Sequence, residues 1–368
     1  MKINCVSKNL KEALVVAERN TSKNQTLPIL GSLLLEAQEN NKIKIKATNL
    51  ETAVEITIPA KVEKQGVVAV SAKNLSSFVS NISSEEGIAI QNQNDNVYVK
   101  TPKTQTVIKG YKSEDFPLFP RVSEVVSINF NGESLKEALS SVVIACSLSD
   151  IKPELSSVYV RIFKNTIKFT ATDSFRLAEK TITSKNNYLD KSFSILLPQK
   201  SVMEMLKIIN TGDVVCGFNK NQLILTSGNI KFITRLVDGV FPEYDQIIPK
   251  EFKTSILAAN SDFVYSLKLS SVFVGRLNDV SLKFDPQKKV SSFYTSNSDV
   301  GEHNSEIDCE VKGDEVKAKY NWRYLFDGVS QIKSEHISLG VNGDQSPLVL
   351  RGKGDGSFLY LVMPLRGV

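Results

Sequence analysis

Asp173 is the residue whose neighbours most strongly suggest catalysis. It lies in the segment ATDSFR, between Thr172 and Arg176, where a carboxylate could act as a general acid or base. The alternative is a turn residue, whose carboxylate accepts hydrogen bonds from the backbone of a hairpin. Asn49 and Asn297 stand at equivalent points of two related segments. Because a catalytic acid need not recur, this repetition favours the turn.

The other residue types that carry chemistry form no recognisable centre. The two histidines, His303 and His336, are too few for a histidine-rich metal site. The four cysteines lie far apart without a CxxC pair, which is typical of reduced thiols in a cytosolic protein and not of a metal or redox site. They are Cys5, Cys146, Cys216 and Cys309.

Sequence motifs of known enzymes are also missing from the chain. It has no GxSxG elbow, HExxH helix, EF-hand loop or kinase signature. The glycine-rich run 352–356 lacks the GK[ST] ending and the following helix of a P-loop, so it is interpreted as a β-turn. We therefore expect no catalytic residue, no cofactor, no bound metal and no enzymatic activity.

The composition is that of an ordinary globular protein. The chain has 368 residues, of which 41% are hydrophobic and 23% charged, enough for two or three domains with their own cores. No apolar run approaches the roughly 18 residues that a membrane span needs. The N-terminus lacks the apolar core of a signal peptide. These features predict a cytoplasmic protein without membrane contact.

The net charge bears on nucleic-acid binding. It is +5, from 45 basic and 40 acidic residues. The first third of the chain carries about +4, the middle third about +1 and the last third about 0. This mild bias is unlike the dense basic patch of a tight DNA binder. A nucleic-acid partner would therefore be held loosely.

The chain repeats itself with an offset of about 125 residues. The pentapeptide LKEAL occurs at Leu10–Leu14 and again at Leu135–Leu139, and a drifted copy lies at Phe263–Leu267. The offset is longer than the roughly 20–50 residues of solenoid repeats, but it matches the length of a domain. The sequence predicts three domains, at residues 1–121, 122–249 and 250–368.

Each third is predicted to be an α+β unit of two βαβββ halves, with two helices packed against antiparallel sheets. Alternating apolar and polar residues indicate strands, as at 42–46 and 166–170. Ser7, Asn131 and Ser261 are the predicted caps of the three opening helices. The predicted helices are Leu10–Asn20, Ala72–Ile82, Leu135–Cys146, Gln199–Ile209, Phe263–Phe273 and Trp322–Ile332.

Four segments, in order along the chain, resemble the bacterial sliding clamp family, the beta subunit of DNA polymerase III. They are Thr26–Gly31, Ala171–Ala178, Leu236–Tyr244 and Tyr360–Arg366. The resemblance implies a head-to-tail homodimer in which six similar domains close a ring around duplex DNA, with helices lining the hole. It implies a DNA clamp that confers processivity and docks partners carrying clamp-binding motifs. These partners are the DNA polymerase III alpha subunit, the clamp loader, other polymerases and repair proteins.

In this family a pocket between the second and third domains receives short peptide motifs. Apolar walls with an adaptable methionine suit leucine and phenylalanine anchors, and an arginine can orient the polar end of the peptide. The alternative is that these residues are only interdomain core and a C-terminal strand. The matching residues are Leu155, Thr172, Ser174, Phe175, Arg176, Leu177, Pro242, Ile247, Tyr324, Met363, Pro364, Leu365 and Arg366.

The resemblance also implies DNA contacts and a subunit interface, in which an opposite-charge rim would guide association. Val272 and Phe273 have the alternative of being core residues of their own domain. The candidate DNA contacts are Lys23, Asn24, Lys73, Ser149, Lys152 and Lys200. The candidate interface residues are Lys73, Lys100, Lys103, Ile108, Val272, Phe273, Asp299, Glu302 and Glu306.

The chain departs from the family pattern at several points. Asn24 stands where a basic residue is common, and Ser174-Phe175 replaces a frequent Gly-His pair. Gly367-Val368 extends the usual C-terminus. The main alternative function is a monomeric binding scaffold that keeps the fold without the ring. A nucleic-acid-processing enzyme would need a carboxylate cluster, and the sequence shows none.

Overall fold

A computed structural model describes residues 1–22, 27–120, 126–184 and 189–366. Lys23, Asn24, the boundary at 121–122 and the extension 367–368 lie outside these residues. The chain forms two compact units. The first comprises Met1–Leu135 and Met203–Leu236, and the second comprises Lys136–Val202 and Val237–Val368. The predicted domain boundaries stay predictions.

The secondary structure repeats as six β-α-β-β-β blocks, two in each third of the chain. In the first third, one block is β1 (Lys2–Val6), α1 (Ser7–Arg19), β2 (Ser32–Gln38), β3 (Lys42–Thr48) and β4 (Thr52–Pro59). After the short strand β5 (Lys61–Lys64) comes β6 (Gly66–Ser71), α2 (Ala72–Ser80), β7 (Gly87–Gln93), β8 (Asn96–Lys100) and β9 (Gln105–Ile108). A short β10 (Gly110–Tyr111) ends this third.

The middle third repeats the same order. Its first block is β11 (Val126–Asn131), α3 (Gly132–Val143), β12 (Ser157–Lys164), β13 (Thr166–Thr172) and β14 (Arg176–Thr183). Its second block is β15 (Leu189–Pro198), α4 (Gln199–Ile208), β16 (Asp213–Phe218), β17 (Gln222–Ser227) and β18 (Ile230–Arg235).

The last third has the same two blocks. The first is β19 (Thr254–Ala259), α5 (Asn260–Ser270), β20 (Asp279–Asp285), β21 (Val290–Asn297) and β22 (Gly301–Lys312). The second is β23 (Val316–Asn321), α6 (Trp322–Val329), β24 (His336–Val341), β25 (Leu348–Gly352) and β26 (Phe358–Val362). The six predicted helices are therefore present, and their ends differ from the predicted ones by a few residues.

The strands assemble into antiparallel sheets. The first unit holds a five-stranded sheet, β5-β1-β7-β8-β9, and a nine-stranded sheet, β10-β6-β2-β3-β4-β18-β17-β16-β11. The second unit holds strands in the order β15-β12-β13-β14-β26-β25-β24-β19-β22-β21-β20-β23. The α+β class with antiparallel sheets is confirmed.

Strands from successive thirds pair with each other at two places. In the first unit, β4 pairs with β18, so that Val54 lies opposite Phe232. In the second unit, β14 pairs with β26, so that Leu177 lies opposite Leu361. In each case the last strand of a first block pairs with the last strand of the following third.

The opening helices bury the residues that the repeated pentapeptide predicts. Leu10 and Leu14 of α1 are fully buried, and Leu135 and Leu139 occupy the matching positions of α3. These positions are four residues apart, so they share one helix face. In the drifted third copy Phe263 and Leu267 are buried in the same way.

The start of each opening helix is fixed by a hydrogen bond to a distant loop. The N–H of Ser7 donates to the carbonyl of Glu86, that of Gly132 to Gly212, and that of Asn260 to Glu335, at 2.8–3.0 Å. The predicted cap Asn131 is confirmed, since its side chain accepts from the N–H of Ser134. The predicted caps Ser7 and Ser261 are wrong. Both lie inside their helices, and α1 and α5 have no side-chain cap.

None of the helices in the described ranges is long and apolar enough to cross a membrane.

Candidate functional site

The turn after β13 is built by the side chains that the sequence singled out. The Oδ1 of Asp173 accepts from the N–H groups of Phe175 and Arg176, at 2.9 and 3.0 Å. The hydroxyl of Thr172 accepts from the N–H of Ser174 and donates to the carbonyl of Arg176. Ser174 takes a positive φ of 77°. The turn interpretation of Asp173 is confirmed.

The equivalent asparagines act in the same way. Asn49 accepts from the N–H groups of Glu51 and Thr52, and Asn297 accepts from the N–H of Asp299. The repeated residue is therefore a turn former in all three thirds.

Arg176 joins this turn to helix α6. Its Nε donates to Asp173 at 3.0 Å, and its Nη1 donates to Asp327. Its guanidinium lies over the ring of Tyr324, 4.3 Å from the centroid. Burial alone would lower the pKa of Arg176, but Tyr360, Asp327 and Asp173 raise that pKa above its usual value. Arg176 therefore forms a charged side of the site, and its guanidinium is already hydrogen-bonded to Asp173 and Asp327.

Beside this turn lies an apolar cluster on one face of the sheet. Leu177, Leu361 and Val349 are cross-strand neighbours on β14, β26 and β25. Each is almost completely buried. Met363 and Phe252 pack against the cluster from its partly exposed side. The other members are Leu196, Phe241, Tyr244, Leu359, Tyr159, Val237 and Ile248.

The segment 237–252 covers part of this cluster through aromatic contacts. Phe241 stacks on Tyr159, with ring centroids 4.8 Å apart, and meets Tyr244 edge-on at 6.0 Å. The Tyr244 hydroxyl donates to Glu179 at 2.6 Å and accepts from Thr170 at 2.9 Å. Burial raises the pKa of Tyr244 above its usual value, so the phenol stays protonated and keeps donating. These ring contacts and hydrogen bonds fix the position of the segment 237–252 on the cluster.

The thirteen predicted pocket residues all belong to the second unit. The N–H of Met363 donates to the carbonyl of Phe175 at 2.8 Å, and Leu177 and Met363 share the apolar cluster. Phe175 is 61% exposed and Ile247 is 51% exposed, so both present apolar surface.

The remaining pocket residues divide by exposure. Pro242, Ser174 and Arg366 are exposed, and Leu365 is half-buried with its N–H bonded to the carbonyl of Lys319. Leu155, Thr172 and Pro364 are buried.

Sequence analysis missed several residues of this site. Tyr244 and Phe241 lie within the quoted segment Leu236–Tyr244 but were not assigned roles, although Phe241-Pro242 repeats Phe116-Pro117 in the first third. Asp327 gave no signal at all, because it lies 151 residues from Arg176.

Comparison with known proteins decides the family. Family models of the DNA polymerase III beta subunit match residues 1–120 with the N-terminal domain, 129–243 with the central domain and 245–366 with the C-terminal domain. The chain belongs to the DNA polymerase III beta subunit family. This family is a non-catalytic DNA sliding clamp, so the chain is not an enzyme.

Individual relatives agree with this family. The beta sliding clamp of Staphylococcus aureus is 26% identical over 356 residues, which cover 94% of each chain. The crystal structure of a sliding clamp from Bacillus subtilis matches the whole of both chains, with a TM-score of 0.95 and 23% identity. That of the beta subunit from Pseudomonas aeruginosa also covers both chains fully, with a TM-score of 0.94 and 18% identity. These two structures show the same fold.

The predicted DNA contacts that the structure describes are exposed polar residues. Lys73 lies on α2 in the first unit, and Ser149, Lys152 and Lys200 lie in the second unit. Lys200 pairs with Asp150 at 2.9 Å, and both side chains are largely exposed. Such a pair is weak, so it leaves Lys200 accessible to phosphate.

The predicted interface residues of the first unit differ in exposure. Lys100 and Lys103 are exposed, but Ile108 is 8% exposed and packs into the core of its own unit. Because side chains alternate along β9, the neighbouring Val107 is the residue that faces outward.

The predicted interface residues of the second unit include an exposed acidic edge. Val272 is 62% exposed, which excludes the core alternative for it, and the ring of Phe273 stacks on His303. Asp299, Glu302 and Glu306 are exposed. Tyr294 donates to Glu302 and Ser292 donates to Glu306, which orients both carboxylates along β22.

The four cysteines are buried free thiols. Burial raises the pKa of Cys5 to about 11 and the pKa of Cys146 and Cys216 to about 12, so these thiols are unreactive near neutral pH. Among the described residues no group of His, Cys, Asp and Glu side chains could hold a metal ion. The run 352–356 connects the paired strands β25 and β26, which confirms the β-turn.

Proposed function

We propose that two copies of this sliding clamp close head to tail into a ring that encircles duplex DNA and tethers a replicative polymerase. One observation carries the proposal. The last strand of a first block pairs with the last strand of the following third, as β4 does with β18 and β14 does with β26. By the same rule β22, the last strand of the first block in the last third, would pair with the last strand of another third.

Strand β9 of a second copy would satisfy that rule. It is the last strand of the second block of the first third, followed only by the two-residue β10, and it lies at the edge of its five-stranded sheet. Residues 301–308 of β22 pair with β21 on one side, whereas only 309–312 pair with β19 on the other. Unpaired strand edges of this kind readily add another strand. The pairing of β22 with β9 in each direction would close the ring.

Charge supports the same pairing. Lys100 ends β8 and Lys103 lies in the turn that leads into β9, while Glu302 and Glu306 lie on β22. Opposite charges on facing edges fix register and speed association more than they add affinity.

Sedimentation of charge-reversed variants tests this interface. The wild-type chain should sediment as a dimer at micromolar concentration. The double variant Glu302→Lys/Glu306→Lys should raise the dimer dissociation constant by about tenfold or more, and adding Lys100→Glu/Lys103→Glu should restore it. A control, Glu251→Lys/Glu335→Lys, changes exposed carboxylates elsewhere. A wild-type monomer would instead support the scaffold without a ring.

We infer that DNA is held loosely inside the ring. Phosphate contacts weaken steeply with salt and carry little sequence information, so a few lysines suit a protein that must slide. Lys73, Lys152 and Lys200, with Ser149, Lys23 and Asn24, are the proposed contacts. The work of such a ring is to keep the polymerase at high local concentration near the template. We propose that it does so in the cytoplasm.

We also propose that the apolar cluster beside the 172–177 turn binds short peptides from the DNA polymerase III alpha subunit, the clamp loader, other polymerases and repair proteins. Its support is an apolar floor of Leu177 and Leu361, an adaptable Met363 and exposed Phe175. Recognition sites combine such apolar surface with a few fixed polar groups. Arg176, held by Asp173 and Asp327, is such a fixed polar group.

A binding experiment tests the pocket. A labelled peptide containing a glutamine and a Leu-Phe end should bind the wild-type chain, and Met363→Ala should weaken it by about tenfold, since it removes apolar contact worth roughly 1.5 kcal/mol. Met203→Ala, at an exposed methionine of α4, is the matched control. Leu177→Ala should weaken binding at least as much, with folding checked by thermal unfolding because Leu177 is fully buried. Unchanged affinity in Met363→Ala would refute the assignment.

A further inference from the structure

A second groove lies on the sheet of the second unit, outside the apolar cluster. It encloses about 590 Å³ between strands β22, β19, β24 and β25 and the turn 352–356. Its lining includes apolar surface and carries five charged side chains. These are Glu310, Lys312, Arg351, Lys353 and Asp355.

The positive charges of this groove are unpaired. Lys312, Arg351 and Lys353 make no ion pair within the described residues, whereas Lys180 and Lys333 of the same unit both bind Glu137. The Nε of Arg351 is buried and has no hydrogen-bond partner in the part of the chain that the structure describes. Buried polar atoms normally have a partner, and leaving a charged one without it is unfavourable. Arg351 therefore lacks an anionic partner.

The two carboxylates of the groove do not fill this role. Asp355 accepts hydrogen bonds from the N–H and the hydroxyl of Ser357, at 2.8 and 2.6 Å. In the strand register Glu310 lies opposite Leu257, Leu257 opposite Ser338, and Ser338 opposite Arg351. Glu310 and Arg351 are therefore three strand spacings apart, or roughly 14 Å.

The groove adjoins the proposed peptide pocket. Val349 of the apolar cluster and Arg351 are two residues apart on β25, so they point to the same face, about 7 Å from each other. Leu177 is two strands from Val349 through Leu361, which sets Arg351 roughly 12 Å from Leu177. The ring of Phe252 packs on Gly340, beside both sites. Four extended residues are enough to span the gap.

We propose that this groove binds an acidic segment that flanks the peptide held in the apolar pocket. The inference rests on the proposed peptide-binding function and adds a second, electrostatic contact to it. A carboxylate of the segment would accept hydrogen bonds from the Arg351 guanidinium, the side chain that binds carboxylates best. Lys353 and Lys312 would hold further acidic residues. Partners with such a flank would bind more tightly and with more salt dependence.

Peptides with matched extensions test the proposal on the full-length protein. Three peptides share the Leu-Phe end: one without extension, one with four added glutamates and one with four added glutamines. The glutamate extension should tighten binding by about fivefold at low salt, and the glutamine extension should not. Arg351→Gln/Lys353→Gln should remove this gain and leave the short peptide unaffected. The control Lys288→Gln/Lys317→Gln, at exposed lysines of the same unit, should keep it.

A second measurement does not depend on the apolar pocket. In Ser338→Cys a single reactive thiol stands in the groove, because the four native cysteines are buried. A tetraglutamate carrying a haloacetyl group should alkylate this thiol several-fold faster than the tetraglutamine analogue, and Arg351→Gln should abolish the difference. If the Leu-Phe peptide fails to bind but this difference in alkylation rate appears, the proposed peptide pocket is refuted and the proposed acidic-segment groove is supported. Equal alkylation rates, or a gain that survives Arg351→Gln/Lys353→Gln, would overturn the groove.

Discussion

Arg176 sets the shape of the candidate site at the scale of single residues. Its guanidinium is shared between Asp173 on the turn and Asp327 on α6, and it lies on the ring of Tyr324. The same turn offers the carbonyl of Phe175 to the N–H of Met363. The charged network therefore fixes the edge against which Met363 packs, while the apolar residues provide the contact surface.

Tyr244 is the corresponding anchor on the opposite side. We expect Tyr244→Phe to lower the free energy of unfolding by about 1–3 kcal/mol, because Glu179 is buried and loses the hydroxyl that donates to it. Urea unfolding at neutral pH measures this. The raised pKa of Tyr244 keeps the hydroxyl protonated, so the loss should be the same at pH 6 and pH 9. Tyr265→Phe, at an exposed tyrosine, is the control, and equal stability of both variants would contradict the role of Tyr244.

The helix starts show how elements depend on distant contacts. In all three thirds the first N–H of the opening helix donates to a carbonyl in the loop after the second helix. That bond satisfies the first N–H group of each helix, which has no partner inside the helix. It also ties the two blocks of each third together.

The sequence alone predicted the features that depend on neighbouring residues. The helices followed from apolar residues four apart, as in Leu10 and Leu14, and the turns followed from Asp173 and its equivalents. It was insufficient where a partner lies far along the chain. Nothing local predicts that Leu177 will face Leu361, that Asp327 will bind Arg176, or that the carbonyl of Glu86 will replace a cap at Ser7. The inward orientation of Ile108 was equally hidden from the sequence, because the inward face of a four-residue strand is fixed only through packing.

Glu137 links three elements and gives a pH-dependent prediction. Its carboxylate binds Lys333 after α6 and Lys180 of β14, and these hydrogen bonds lower the pKa of Glu137. Because the pKa is lower in the folded state, the ionised carboxylate stabilises the fold at pH values above the ordinary glutamate pKa of about 4.3. This stabilisation is lost as the pH falls through the pKa of the folded state.

We therefore expect Glu137→Gln to be less stable than the wild type at pH 7, by no more than about 1 kcal/mol because the carboxylate is partly exposed. The difference should shrink toward zero near pH 3. Urea unfolding at both values measures it, with Glu133→Gln on the exposed side of α3 as the control. A difference that does not change with pH would contradict the ion pairs.

At the scale of the whole molecule, the strand pairings follow one rule: the last strand of a first block pairs with the last strand of another third. Two junctions, β4 with β18 and β14 with β26, lie within the chain. In the proposed ring, the edges of β22 and β9 pair with those of a second copy. Oppositely charged residues lie on these edges, and the sheet would continue across the junction as it does inside each unit. A ring is the closed form of this pattern.

Retention on DNA tests the ring most directly. The protein should be loaded by its clamp loader onto a nicked circular plasmid, separated from free protein, and divided into two portions, one of which is cut once by a restriction enzyme. A ring held topologically should stay on the circle in high salt and run off the linear DNA, and blocking both ends should restore retention. Equal loss from the circular and linear DNA would contradict encirclement.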